Sequence, residues 1–94
     1  MSTKDSYPID YAEILNQVCV VLEHSLGLPS LTLDRNPAAI LLGNIPELDS
    51  MAIVSVLTSL ENHFGFIIYD DELNADVLAT LGNLVDFILE KIND

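Results

Sequence analysis

The stretch Leu48-Asp49-Ser50-Met51-Ala52-Ile53-Val54-Ser55-Val56-Leu57-Thr58-Ser59-Leu60-Glu61-Asn62-His63-Phe64-Gly65 decides how this chain is read. Asp49 is a helix-capping residue type, and Met51, Val54, Leu57, Leu60 and Phe64 recur at helical spacing behind it. The spacing predicts a helix from Ser50 to His63 or Phe64, stopped by Gly65. Ser50 therefore stands where a long loop turns into a helix. The first-turn N–H groups have no intrahelical partner there, and the positive end of the helix dipole favours an attached anion, a phosphodiester included.

Working outward, Ile14, Leu15, Val18, Val21, Leu22 and Leu26 predict a first helix from about Tyr11 to Leu26, with Gly27 as its stop. Asp10 followed by Glu13 is a variant of the capping box at its start. Pro29, Asn36-Pro37, Gly43-Asn44 and Pro46 then punctuate a loop that lasts until Asp49, longer than ordinary helix connections. Ile40, Leu41 and Leu42 are expected to form one short helical turn, with Leu28, Leu31 and Ile45 as further anchors. Beyond Gly65, Phe66-Ile67-Ile68-Tyr69 reads as an apolar connector, since no second strand candidate lies near it. Asp70-Asp71-Glu72 is expected to open a short third helix through Leu73 to Leu78. Thr80 caps a fourth, whose face is Leu81, Leu84, Val85, Ile88 and Ile92. The expected fold class is all-α: a four-helix bundle with a long first loop and a short third helix.

The chain has 94 residues, half of them apolar, which fits one domain spanning 1–94, with 1–9 expected to be a flexible N-terminal segment. Fifteen carboxylates against Lys4, Arg35 and Lys91 give a formal charge of −12. Such a charge repels nucleic acid and anionic lipid and points to basic partner surfaces. Cys19 is the only cysteine, so no intramolecular disulfide forms, and no secretory signal or membrane-length apolar run is present. The expectation is a cytoplasmic monomer that neither inserts into a membrane nor binds nucleic acid.

Leu48-Asp49-Ser50-Met51 with Val54, Leu57, Leu60, Glu61 and Phe64 resembles the attachment helix of acyl carrier proteins, which carry phosphopantetheine on this serine. Leu78-Ala79-Thr80-Leu81-Gly82-Asn83-Leu84 is similar to the entry of the last helix in that family, and the order of helices and loop agrees. The resemblance implies that Ser50 is the covalent attachment site. The arm would come from coenzyme A through a phosphopantetheinyl transferase. Acyl intermediates would then ride as thioesters to an acyl-activating ligase, synthase or acyltransferase with a basic docking surface. Glu47, Asp49, Met51 and Glu61 are the expected partner-recognition residues, with Asp49 also the cap. One departure stands out: housekeeping fatty-acid carriers place acids soon after the serine, whereas this chain has Ala52, Ile53 and Ser55. Ile45-Pro46-Glu47-Leu48-Asp49-Ser50-Met51-Ala52 resembles specialised carriers found beside exosortase and surface-polysaccharide systems, which implies a dedicated pathway.

Other chemistry finds less support. His63 lies at the far end of Ser50's helix and His24 belongs to helix one, so neither is placed as a base for Ser50. Cys19 sits among Val18, Val20 and Val21, which offer no charge to lower a thiol pKa, so a buried structural thiol is expected. Asp70, Asp71, Glu72 and Asp76 lack the ligand alternation and central glycine of an EF-hand. With no convergent acid, base, nucleophile or metal set, the chain is expected to be a carrier and no enzyme. Two alternatives stay open: an aminoacyl or peptidyl carrier of the same fold, and an unmodified acidic adaptor, which would need no serine at Ser50.

Overall fold

The computed structural model describes residues 10–93; the expected flexible segment 1–9 lies outside the described residues. Among the described residues, three α-helices carry the fold: α1 (Tyr11–Leu26), α2 (Ser50–Phe64) and α3 (Leu81–Asn93). α1 packs against both α2 and α3. Val18, Cys19 and Leu22 of α1, Val56 and Leu60 of α2, and Leu81, Leu84, Val85 and Ile88 of α3 are all fully enclosed. Each such aliphatic side chain removed from water stabilises the fold by about 1.5–3 kcal/mol.

The helix limits follow local chemistry. At the end of α1, Gly27 takes the left-handed conformation (φ 71°) that a side chain would resist. Its N–H donates to the His24 carbonyl, and that of Leu28 donates to Glu23 at 2.8 Å, a Schellman closure. The expected capping box at the start of α1 does not form. Asp10 makes no side-chain cap, and Glu13 instead accepts from Gln17 Nε2 at 2.7 Å, one helical turn along. At α3, Thr80 Oγ1 accepts from the Asn83 N–H at 3.1 Å, the cap expected there.

Helix α2 buries a different stripe from the expected one. Val56, Leu57 and Leu60 are buried with Ile53 and Phe64 packed beside them, whereas Met51 (82% exposed) and Val54 (65%) face outward. At about 100° per residue the two apolar stripes share Leu57, Leu60 and Phe64 but diverge in the first turns, and contact with α1 selects the one through Val56.

The described residues hold three α-helices and not the expected four, because the short third helix expected through Leu73–Leu78 is replaced by turns, while the expected fourth is α3. A 3₁₀ turn spans Asp70–Glu72, and hydrogen-bonded turns cover 75–79. Asn74 accepts from the Val77 N–H through both its carbonyl and its side chain, and the Asp76 carbonyl accepts from Ala79 and from Asn83 Nδ2. The carbonyls of Leu78 and Ala79 are taken from across the fold by the N–H groups of Leu42 and Leu41. The Val77 and Ala79 N–H groups are thus closed into turns three residues back, the first supported by the asparagine side chain, and not into the four-residue bonds of a helix.

That loop is held to the helices at several points. Ile40 and Thr80 form an antiparallel β-bridge, so Ile40 to Leu42 does not make the expected helical turn; one turn forms slightly later, with Asn44 and Ile45 N–H both donating to Leu41 O. Leu41, Ile45 and Leu48 are buried. Leu31, an expected anchor, is 77% exposed, and its positive φ of 64° places it in the third position of a turn closed by Thr32 N–H to Pro29 O. Pro37 lies on Gly82, whose N–H donates to the Pro37 carbonyl at 2.8 Å. A Cβ at Gly82 would meet that carbonyl oxygen at 3.0 Å.

An ion pair between the buried Glu23 and the half-buried Arg35, which the sequence did not announce, completes the attachment. Glu23, 3% exposed in the last turns of α1, receives Arg35 on both oxygens (Nη1 to Oε2 2.5 Å, Nη2 to Oε1 3.2 Å) and the Leu33 N–H at 2.9 Å. The hydrogen-bonded guanidinium holds the Glu23 carboxyl below its ordinary range and raises Arg35 in turn.

Candidate functional site

Ser50 is the first residue of α2 and is exposed. Its setting is built by Asp49, which has an extended backbone and whose Oδ1 accepts from the Ala52 N–H at 2.8 Å. The first backbone bond of the helix runs from the Ile53 N–H to the Asp49 carbonyl at 2.9 Å. The cap therefore serves the third N–H of the helix and leaves those of Ser50 and Met51 facing the end of α2. An anion joined to the Ser50 hydroxyl would meet those donors and the positive end of the dipole, so the residues present fit a phosphodiester. Buried Leu48, just before the cap, fixes where the helix begins.

The expected recognition residues are not gathered equally. Glu47, Asp49 and Met51 lie exposed around Ser50. Glu61 stands eleven residues further, about 16 Å along the helix. Its Oε2 accepts from the Ile68 N–H at 2.6 Å, and its carbonyl accepts from Gly65 and Phe66, so it organises the turn into the connector. Val54, one helical turn from Ser50, joins the exposed surface beside Met51. Sequence periodicity assigned Val54 to the core; the smoother stripe through Ile53, Val56, Leu57, Leu60 and Phe64 was the signal that would have freed it.

Beneath the long loop lies a cleft of about 360 Å³ with a mixed lining, apolar at Leu28, Leu41 and Leu81 and polar at Asp34, Asn44 and Glu47. Cys19 contributes to its lining but is wholly enclosed, and burial pushes its thiol up to about 11, which keeps it protonated and inert near neutrality. The histidines lie elsewhere, lining a groove between α1 and α2 where His63 Nε2 pairs with Gln17 Oε1 at 3.0 Å. Among the described residues no cluster of three or more His, Cys, Asp or Glu is arranged to hold a metal ion. No described helix is long and apolar enough to cross a membrane.

The described residues thus form a helical domain in which a long tethered loop delivers an exposed serine to the start of a capped helix. Comparison with protein-family models gives no match, and comparison with curated proteins gives none either. Among solved structures the chain is similar to a holo acyl carrier protein from Nitrosomonas europaea, determined in solution. The two are 41% identical with a TM-score of 0.75, over 85% of this chain and 96% of the other. The chain belongs to the acyl carrier protein family.

Proposed function

We propose that the chain holds acyl intermediates on a phosphopantetheine arm attached through Ser50 and presents them to partner enzymes of a dedicated pathway in the cytoplasm, without catalysing a reaction itself. The observation that carries this reading is the exposed Ser50 at the open end of α2, with Asp49 committed to the cap. In the loading step the Ser50 oxygen attacks the phosphorus of coenzyme A that bears the pantetheine. The bond to the nucleotide phosphate breaks, adenosine 3′,5′-bisphosphate leaves, and a group on the transferase takes the hydroxyl proton. The arm supplies a terminal thiol for thioester carriage. Asp49 and Leu48 hold the serine at the helix end; the α2 amides receive the phosphodiester charge. Glu47 and Asp49 give a basic partner group something to meet at the edge of the site.

The test is intact mass after incubation with coenzyme A, magnesium and a panel of phosphopantetheinyl transferases. Wild type is expected to gain one phosphopantetheine and Ser50→Ala none. A modified alanine variant would refute the assignment of Ser50, and an unmodified wild type across the panel would favour the unmodified acidic adaptor.

A further inference from the structure

The cleft beneath the long loop is formed by the two halves of that loop, one ending at Asp34 and the other at Glu47, over Leu81 of α3. Its floor is hydrocarbon, with Leu41 and Leu81 buried. Its mouth carries Asp34, Asn44 and Glu47, all exposed, and no Lys, Arg or His of the described residues lines it. Arg35, next to Asp34 in the chain, is committed elsewhere: its Nη atoms donate to both oxygens of Glu23, and Nη1 donates to the Leu33 carbonyl as well. Asp34 gives one oxygen to the Asn36 N–H. The ion pairs among the described residues are Arg35–Glu23 and Lys91–Glu72, so neither carboxylate at the mouth meets a cation there. Glu47 stands three residues before Ser50, which puts the mouth at most about 10 Å of chain from the attachment point.

We propose that this cleft receives the far end of the carried group and that the group is an amino-substituted acyl chain, its methylenes along Leu28, Leu41 and Leu81 and its ammonium at Asp34, Asn44 and Glu47. The proposal rests on the carrier reading, since it takes the ligand to be tethered at Ser50. Charge complementarity selects the cargo. A carboxylate or phosphate at the end of the chain would be repelled by both acids. A plain alkyl end would strip water from them and offer nothing in return. An alkylammonium of the lysine kind stays charged near neutral pH and carries three donors, enough for two carboxylates and the Asn44 side-chain oxygen. Because the mouth is exposed, the attraction is modest and is screened by salt. Tethering compensates for that weakness, since a short flexible arm holds the ammonium at a high effective concentration beside the cleft.

The experiment uses the full chain, loaded by a transferase that accepts acyl-coenzyme A thioesters, and compares three arms: unsubstituted, ω-aminohexanoyl and heptanoyl. The two acyl groups match in length and differ in an ammonium against a methyl. Intact mass confirms complete loading. At low salt the ω-aminohexanoyl form of wild type should melt roughly 3 to 6 °C above the form with the unsubstituted arm. It should also shift the backbone amide resonances of Asp34, Asn44 and Glu47. In the double variant Asp34→Asn with Glu47→Gln that gain should fall by half or more, as it should in wild type at high salt. Each loaded form is compared with the unsubstituted arm of the same variant, which removes the general relief of repulsion. Asp34→Asn alone, farther from Ser50 in the chain, gives the same comparison if the double variant loads slowly. A gain that survives the substitutions, resonances at the mouth that respond as strongly to heptanoyl, or equal shifts from free hexylamine at the same concentration would each overturn the inference while loading at Ser50 upholds the carrier reading. Absence of any mass gain in wild type would instead refute the carrier reading and the inference with it.

Discussion

Glu23 and Arg35 show how a single pair can tie a long loop to a helix. A buried carboxylate without its cation is costly: removing one partner of such a pair typically destabilises by about 3–5 kcal/mol, while replacing both with apolar groups is often close to neutral. Arg35→Met is therefore expected to lower the melting temperature by roughly 10 °C or more, and Glu23→Leu with Arg35→Met to recover most of that loss. Equal destabilisation of the single and double variants would show that the pair does not behave as a buried unit. Because the folded-state pKa of Glu23 is lowered, its contribution is fully present above the unfolded carboxyl range, about 4.3, and is lost as pH falls through the lower folded value. Thermal melts between pH 7 and pH 3 should show this loss in wild type, and the double variant should lack that component. None of this was legible in the sequence, where Glu23 and Arg35 are charged residues of a kind usually solvated. The Asp49 cap and the place of Ser50 at the start of α2 were legible, because both depend on neighbours within one helical turn.

At the scale of elements, the meeting of the long loop with α3 depends on Gly82. Alanine in its place improves helix propensity by about 1 kcal/mol, yet its Cβ would lie 3.0 Å from the Pro37 carbonyl oxygen and 3.2 Å from the Pro37 Cβ. That carbonyl has little freedom to retreat, since it accepts the Gly82 N–H and the same segment is bridged at Ile40 to Thr80. Overpacking of this kind costs about 1–3 kcal/mol, so Gly82→Ala is expected to lower the melting temperature by a few degrees. A rise in thermal unfolding would show instead that the loop yields and propensity wins. The contrast between elements explains which of them the sequence announces. α1 and α3 each bury one stripe and begin or end on local signals, Gly27 and Thr80, so their limits follow from neighbouring residues. The segment Leu73–Leu78 carries apolar residues that suit a helix, but it closes into turns at Asn74 and Asp76, and the carbonyls of Leu78 and Ala79 at its end are taken by Leu42 and Leu41 from a loop far away in sequence. Pairing of that kind leaves no periodic trace.

For the molecule as a whole, charge is the term that solution conditions can move most. Arg35 pairs with Glu23 and Lys91 with Glu72, whose carboxyl the lysine holds below its usual range. These pairs leave a large excess of carboxylates on a domain with a radius of gyration of 13.2 Å. At an ionic strength near 10 mM the screening length is about 30 Å, longer than that radius, so the carboxylates repel one another across the domain; near 150 mM it is about 8 Å and only neighbours interact. Unfolding spreads the chain and relieves the repulsion, which makes it a cost borne by the folded state. Added salt also weakens the Lys91–Glu72 pair, but an ion pair with this much solvent contact adds little to stability. The buried Glu23–Arg35 pair is screened far less. Relief of repulsion should therefore win, and the melting temperature should rise by several degrees between about 10 and 300 mM sodium chloride. Magnesium at equal ionic strength should raise it further by associating with neighbouring acids such as Asp71 and Glu72. The check is a matrix of calorimetric scans across both salts. A melting temperature that stays constant over the matrix would mean that self-repulsion is already balanced within the fold, and the acidic excess would then require another explanation.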